Sequence, residues 1–179
     1  WAREKRYEYL KNLAIETKSD WIMTGHHCND NAETVLMNLS RQAGVTGLSG
    51  IPQKNGKIIR PLLSFEKKIL CDFVERVGLP FKNDSTNSDI SIPRNFLRKK
   101  VLKPWDSKVP SLIKGIYKST QYLNKWKQSL DHLLIKFIIS KLVIFDDRID
   151  IPLNLINDLP NTGKIRLIQL LFDKEKKLW

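Results

Sequence analysis

The segment Thr24-Gly25-His26-His27-Cys28-Asn29-Asp30-Asn31-Ala32-Glu33-Thr34 concentrates two imidazoles, two carboxylates and a hydroxyl within eleven positions. Asp30, Glu33 and Thr34 lie three and four residues apart, so on a helix they share a face. His27 precedes that helix, where a ring nitrogen can meet a phosphate or a polar reaction centre. Three chemistries fit this pattern. Asp30 followed by Glu33 is a capping-box spacing, and Asn29 is also a good cap. The helix amides behind two histidines suit a phosphate or nucleotide. HHxxD with its acids could hold a metal, although it lacks the HExxH spacing. Spacing alone leaves all three open.

Further along, Arg60-Pro61 closes an apolar pair, Ile58-Ile59, and Asp84, Ser85 and Asn87 sit in the polar stretch NDSTN. Arg94, Asn95 and Arg98 then begin a basic run that continues through Lys99, Lys100 and Lys103 to Trp105. A guanidinium pair four residues apart suits phosphate or carboxylate recognition. The plainer readings are a turn arginine at Arg60, a turn cluster at 84–87, and a solvated basic helix closed by a buried Trp105.

These residues need elements to hold them. Tyr7, Leu10, Leu13 and Ala14 recur at helical spacing, which predicts an amphipathic helix from Ala2 to Thr17. Trp21 to Thr24 reads as a short strand feeding a helix from Asn29 to Ser40, with Ala32, Val35, Leu36 and Leu39 inside. The stretch around Gly44, Gly47 and Gly50 reads as loop. Lys54-Asn55-Gly56-Lys57 predicts a tight turn before a strand at Ile58–Arg60. A helix from Glu66 to Val77, capped by Leu63 or Ser64, turns Ile69, Leu70, Phe73 and Val77 inward and stops at Gly78. A basic helix over 94–101 breaks at Pro104. Residues 110–145 form a further helical region, Ile149 to Leu155 is ambiguous, and Gly163 to Leu171 is helical. Alternating helices and strands define an α/β fold.

The 179 residues carry 31 Lys and Arg against 19 Asp and Glu, a formal charge of +12. After residue 90 there are 18 basic and 8 acidic side chains, a bias that suits a solvated surface or an RNA backbone. The greasiest stretch, Leu133 to Phe145, is interrupted by Lys136, Ser140 and Lys141, so no membrane segment is expected. Two cysteines, Cys28 and Cys71, argue for a reduced, cytoplasmic setting and against a disulfide scaffold.

TGHHCNDNAETVLMNLSRQAG, followed in order by GLSGIP, IIRPLL, NDSTN and RNFLR, resembles the tRNA(Ile)-lysidine synthase family of adenylating ATP pyrophosphatases. The resemblance begins near Arg3, Arg6 and Tyr7 and runs to about Pro104. It implies an incomplete adenine nucleotide alpha hydrolase-like, Rossmann-like parallel sheet domain over 1–104. A helical, tRNA-contacting region would follow over 105–179. The implied reaction adenylates C2 of the anticodon cytidine of an isoleucine tRNA, with release of pyrophosphate. Free L-lysine then displaces AMP to give lysidine.

In the same terms, His27, Asp30, Glu33, Arg94 and Arg98 are the implied catalytic residues. His26, His27, Asp30, Thr34 and Arg60 would face ATP, and Asp30 and Glu33 would hold Mg²⁺. Asp84, Ser85, Asn87, Arg94, Asn95, Arg98, Lys99 and Lys100 would meet the substrates, and a homodimer is compatible with the family.

Two departures are small: Gln42 replaces a usual Gly, and Pro93 a usual aromatic. The larger one is the family's SGGxDS phosphate loop, which these residues do not contain. The chain, which opens on Trp1, is therefore expected to be the later part of a longer enzyme, half of a split one, or a remnant, inactive by itself. A related tRNA thiolase would want paired thiols, and no CxxC is present. A non-catalytic RNA-binding module explains the basic half but not the clustered His27, Asp30 and Glu33.

Overall fold

A computed structural model describes residues 2–82, 88–145 and 148–175. The chain divides into two compact units, 1–123 and 124–179.

In the first unit the expected leading helix is α1, Ala2–Glu16, and the expected strand is β1, Ile22–Met23. The turn at Gly56, which has φ 56°, joins two short strands, β2 (Lys54–Asn55) and β3 (Ile58–Ile59). β3 pairs in parallel with β1, Ile22 opposite Ile58, and antiparallel with β2, Lys54 opposite Ile59. The sheet order is β1-β3-β2: the expected parallel pairing is present in β1 and β3, and β2 adds an antiparallel edge. A two-residue hairpin connection permits no other direction for β2. The parallel pair ends its two strands on one edge, from which both the His26-His27 loop and Arg60 emerge.

The loop leads into α2, Cys28–Leu39. The glycine-rich stretch after it, expected as loop, contains a one-turn helix, α3, Val45–Leu48. α4 spans Lys67–Val77 and stops at Gly78. Its start corrects two expectations: Leu63 is buried rather than a cap, and the Lys67 amide donates 2.8 Å to Asn29 Oδ1. Asn29 thus caps α4 and not its own helix. Ile69, Phe73 and Val77, expected inside, are exposed.

Pro93 opens α5 (Pro93–Phe96) at a position where its missing amide costs nothing. The chain continues without a break through a π-helical turn, Leu97–Leu102, into α6, Lys103–Lys108. Pro104 was expected to end the helix. Instead the Lys103 amide reaches back five residues to Arg98 O, and this widening accommodates a ring that would clash with a carbonyl four residues back.

α7, Leu112–Phe137, supplies the lid of the core. Cys28 and Ala32 pack against Leu102, Leu112 and Ile113, with Leu36, Leu97 and Ile116 around them. Leu39, expected inside, is exposed. Asn31 ties three elements: its Oδ1 accepts the Ile51 amide at 2.7 Å and its Nδ2 donates to Thr120 Oγ1 at 3.2 Å. Gly50 is obligatory here, since a Cβ would lie 2.2 Å from Asn31 Oδ1 and φ is +73°.

In the second unit α7 ends at Phe137, short of the expected Phe145, because Ile138 and Ile139 turn into a core with Leu134, Leu167 and Leu171. A 3₁₀ turn, Ile139–Lys141, precedes a hairpin of β4 (Val143–Ile144) and β5 (Ile149–Asp150). α8 (Leu153–Ile156) and α9 (Asn161–Glu175) complete it. Arg166 grips Asp131 through Nε and Nη2, each 2.7 Å from a carboxylate oxygen. Among the described residues no helix is long and apolar enough to cross a membrane.

Candidate functional site

The turn from β1 into α2 is fixed by its own side chains. His27 is the N-cap of α2, in extended conformation: its Nδ1 accepts the Asp30 amide at 3.4 Å. Asp30 Oδ2 in return accepts the His27 amide at 3.0 Å. The capping box is therefore His27 with Asp30, one register earlier than the Asp30 and Glu33 pairing that the sequence suggested. An Nδ1 that accepts carries no proton, so the proton of a neutral ring sits on Nε2, available to a ligand. Burial lowers the His27 pKa below its usual value and keeps it neutral, against the opposing pull of Asp30. His26 Nδ1 is tied to Thr24 Oγ1 at 2.9 Å.

One turn further on, Glu33 is 1% exposed, and both its oxygens are used. Arg94 Nε donates to Oε2 at 2.6 Å, Arg98 Nε to Oε1 at 2.6 Å, and Arg98 Nη2 to Oε2 at 3.0 Å. Arg94 Nη2 also reaches the Asp30 carbonyl at 3.2 Å and Thr34 Oγ1 at 3.5 Å. Asp30 Oδ1 lies 3.7 Å from Arg94 Nη2 and 3.9 Å from Arg98 Nη2. The hydrogen bond to Glu33 raises the Arg98 pKa further, so that guanidinium stays charged. The two arginine side chains remain 41% and 31% exposed. A buried acid thus anchors two cations whose outer parts reach solvent.

Beside them Arg6, Tyr7, Leu10, Thr24, Gly25, His26 and Asp30 line a pocket of about 310 Å³. Spacing gave Arg6 and Tyr7 only the face of an amphipathic helix; the resemblance marked them as the start of a match. A roomier groove of about 500 Å³, between α2 and α7, is walled by Val35, Leu39, Leu48, Leu112 and Ile116 and holds no titratable group. The smaller pocket shares His26 and Asp30 with the charged cluster.

The structure brings His26, His27, Asp30, Glu33, Thr34, Arg94 and Arg98 together. Arg60, at the same sheet edge, is buried and its Nη1 donates to Pro52 O at 2.7 Å; among the described residues no ion pair joins it to the cluster. Asn95 is buried and holds the Asp89 carbonyl at 2.9 Å. It braces the loop before α5. Lys99 donates to Ser88 O at 3.2 Å, and Lys100 is exposed. Asp84, Ser85 and Asn87 lie outside the described residues.

Glu33, expected as a metal carboxylate, spends both oxygens on arginine. Among the described residues no group of three His, Cys, Asp or Glu could hold a metal. Asp30 alone would offer an oxygen to a cation, which suits Mg²⁺ only as an ion arriving with phosphates. Cys28 packs in the core with its thiol toward Ile113 O at 3.7 Å, and burial pushes its pKa to about 12. It is inert as a nucleophile.

A buried carboxylate holding two arginines, next to a neutral histidine at a helix N-terminus on the carboxyl edge of a sheet, is an arrangement that suits an anion. Residues 1–104 match the PP-loop domain family, and the chain belongs to that family. The match covers the sheet, α2 and the two site arginines. Three relatives are each named tRNA(Ile)-lysidine synthase. The protein of Chlorobaculum tepidum is 45% identical over 101 residues, 56% of this chain and 30% of its own. That of Thermosipho africanus is 43% identical over 101 residues, 56% of this chain and 24% of its own. That of Bacteroides thetaiotaomicron is 31% identical over 155 residues, 84% of this chain and 36% of its own. The chain spans between about a quarter and a third of the length of these curated relatives.

Proposed function

We propose that the chain contributes the anion-binding half of a tRNA(Ile)-lysidine synthase active site, in the cytoplasm, with ATP, free L-lysine and an isoleucine tRNA bearing an unmodified anticodon cytidine as substrates. In that reaction the cytosine O2 bonds to the α-phosphorus of ATP and pyrophosphate leaves. The lysine amine then bonds to C2, the C2–O2 bond breaks, AMP departs with the oxygen, and the amine gives up a proton.

The observation that carries this reading is the convergence of Arg94 and Arg98 on buried Glu33, nearly two turns below the His27 cap. Two fixed cations can stabilise charge that develops on a phosphate or leaving AMP. His27 donates its Nε2 proton to the same anion. Asp30 lines the pocket and holds His27 in place, and when Mg²⁺ enters with ATP it would add Lewis-acid stabilisation beside Asp30. Glu33 is a positioning residue. Residues 1–104 form the later part of the catalytic domain and 105–179 contact the tRNA.

These 179 residues contain no SGGxDS sequence, so the chemistry is expected of the polypeptide that joins this chain to such a loop. That polypeptide should exchange labelled pyrophosphate into ATP only in the presence of the unmodified tRNA, and should attach labelled lysine to it. Failure to incorporate lysine would sink the reading. The 18 basic against 8 acidic side chains after residue 90 favour a second reading, an RNA-binding module without catalysis, which predicts tRNA binding with neither exchange nor incorporation.

A further inference from the structure

Trp105 has no place in the site described above, and the plainer reading of the basic run around it has it buried. It is 46% exposed, and Phe96, on the same continuous helical run, is 49% exposed. Lys100, Lys103 and Lys108 are exposed with them, and among the described residues no carboxylate pairs with any of the three. Asp106 is the one acid in this run, half-buried, with Oδ1 shut away from solvent. The inner face of the run is already committed: Arg94 and Arg98 to Glu33, Asn95 to Asp89, and Leu102 to the core. The π turn sustains the helix past Pro104, so aromatic and cationic residues continue outward from the same element that supplies the two site arginines.

Two exposed rings beside three lysines that no carboxylate among the described residues neutralises offer apolar faces and positive charge together, which favours an anionic partner. A polyanion with flat apolar faces matches both. We propose that Phe96 and Trp105, with Lys100, Lys103 and Lys108, form a stacking surface for unpaired nucleotides of a bound RNA, continuous with Arg94 and Arg98. Bases stack on the rings and the lysines follow the phosphates. This rests on the reading above only in requiring that an RNA be bound.

The test is equilibrium binding of the polypeptide carrying this chain, without ATP or lysine, to a labelled RNA hairpin with an unpaired loop and to a blunt duplex of equal length. The hairpin is expected to bind more tightly. Trp105→Ala should weaken the hairpin roughly tenfold, leave the duplex and the salt dependence unchanged, and be rescued by Trp105→Phe. Lys100→Gln with Lys103→Gln should weaken both RNAs and flatten the salt slope by about one per lysine. Equal losses for hairpin and duplex with Trp105→Ala, or no loss, would overturn the stacking surface and leave the lysidine reading standing. No RNA binding by the unsubstituted protein would overturn both. Binding to anionic lipid vesicles or to an acidic peptide in preference to RNA would assign the face to those partners instead.

Discussion

Glu33 and Asp131 are both carboxylates gripped by guanidinium nitrogens at 2.6–2.7 Å, one in each unit of the chain, yet they sit in opposite arrangements. Around Glu33 the acid is sealed and its two arginines open toward solvent. Around Asp131 acid and arginine are nearly equally shielded, 17% and 13% exposed. The partners of that second pair, Lys127 at 3.7 Å from Asp131 and Gln169 at 3.1 Å from Arg166, belong to its own two helices. The second pair is a closed clasp between α7 and α9. The first is an open one, in which a sealed acid holds the cations from below while their side chains stay 41% and 31% exposed. Identical chemistry closes two helices together in one unit and leaves cations facing water in the other, and the recognition proposed above depends on that difference.

The largest expected effect comes from removing the two acids. Glu33→Gln leaves two cations converging on a buried neutral amide, an uncompensated burial that costs about 3 kcal/mol in such settings, somewhat less here because both arginines reach solvent. Lysine incorporation should fall below detection. Asp131→Asn should cost about 1–2 kcal/mol and leave incorporation per folded molecule intact. Urea titration and the incorporation assay, run on both variants, separate the roles. Loss of activity with Asp131→Asn, or its retention with Glu33→Gln, would break the contrast.

A smaller effect is expected from replacing the cations. Lys keeps the charge of Arg98 but cannot place one donor on each Glu33 oxygen. Arg98→Lys should lower kcat about 10- to 100-fold with a stability loss of roughly 1 kcal/mol. Arg166→Lys should show a similar stability loss and no change in kcat. If both arginines proved equally dispensable for turnover, the open clasp would be as structural as the closed one.

Much of the first unit was legible because its signals are local. The Asn55-Gly56 turn, the stop at Gly78 and the three-and-four spacing of Asp30, Glu33 and Thr34 are set by neighbouring residues. The misreadings came from contacts that cross the chain. Asn29 caps a helix that starts 38 residues later, and Glu33 is closed by arginines 61 and 65 residues away; no short-range pattern encodes either. Pro104 reads as a breaker until the widened turn ahead of it is known. Arg60 looks ligand-facing at a strand end, but the Pro52 carbonyl draws its side chain inward. In the second unit the helical periodicity of 110–145 ran past Phe137, because Ile138 and Ile139 suit a helix interior and a core turn equally well.

The smallest expected effect is the acid response of the open clasp, where the His27 cap is the group that titrates. Its folded pKa lies below 6.5 because burial disfavours the imidazolium. Between that lowered value and 6.5 the unfolded chain binds the proton and the folded chain does not. Stability contributed by neutral His27 is therefore complete above about pH 6.5 and declines as pH falls toward the folded pKa, at no more than about 1.4 kcal/mol per pH unit. Protonation also removes the Nδ1 acceptor that caps α2. His27→Asn keeps a good N-cap oxygen without a titrating ring, so its stability should change less between pH 7.5 and 5.5 than that of the unsubstituted chain. Thermal melts at the two pH values measure the difference. An unchanged slope in His27→Asn would mean that the acid sensitivity lies outside the α2 cap, and the neutral, Nε2-protonated histidine would lose its support.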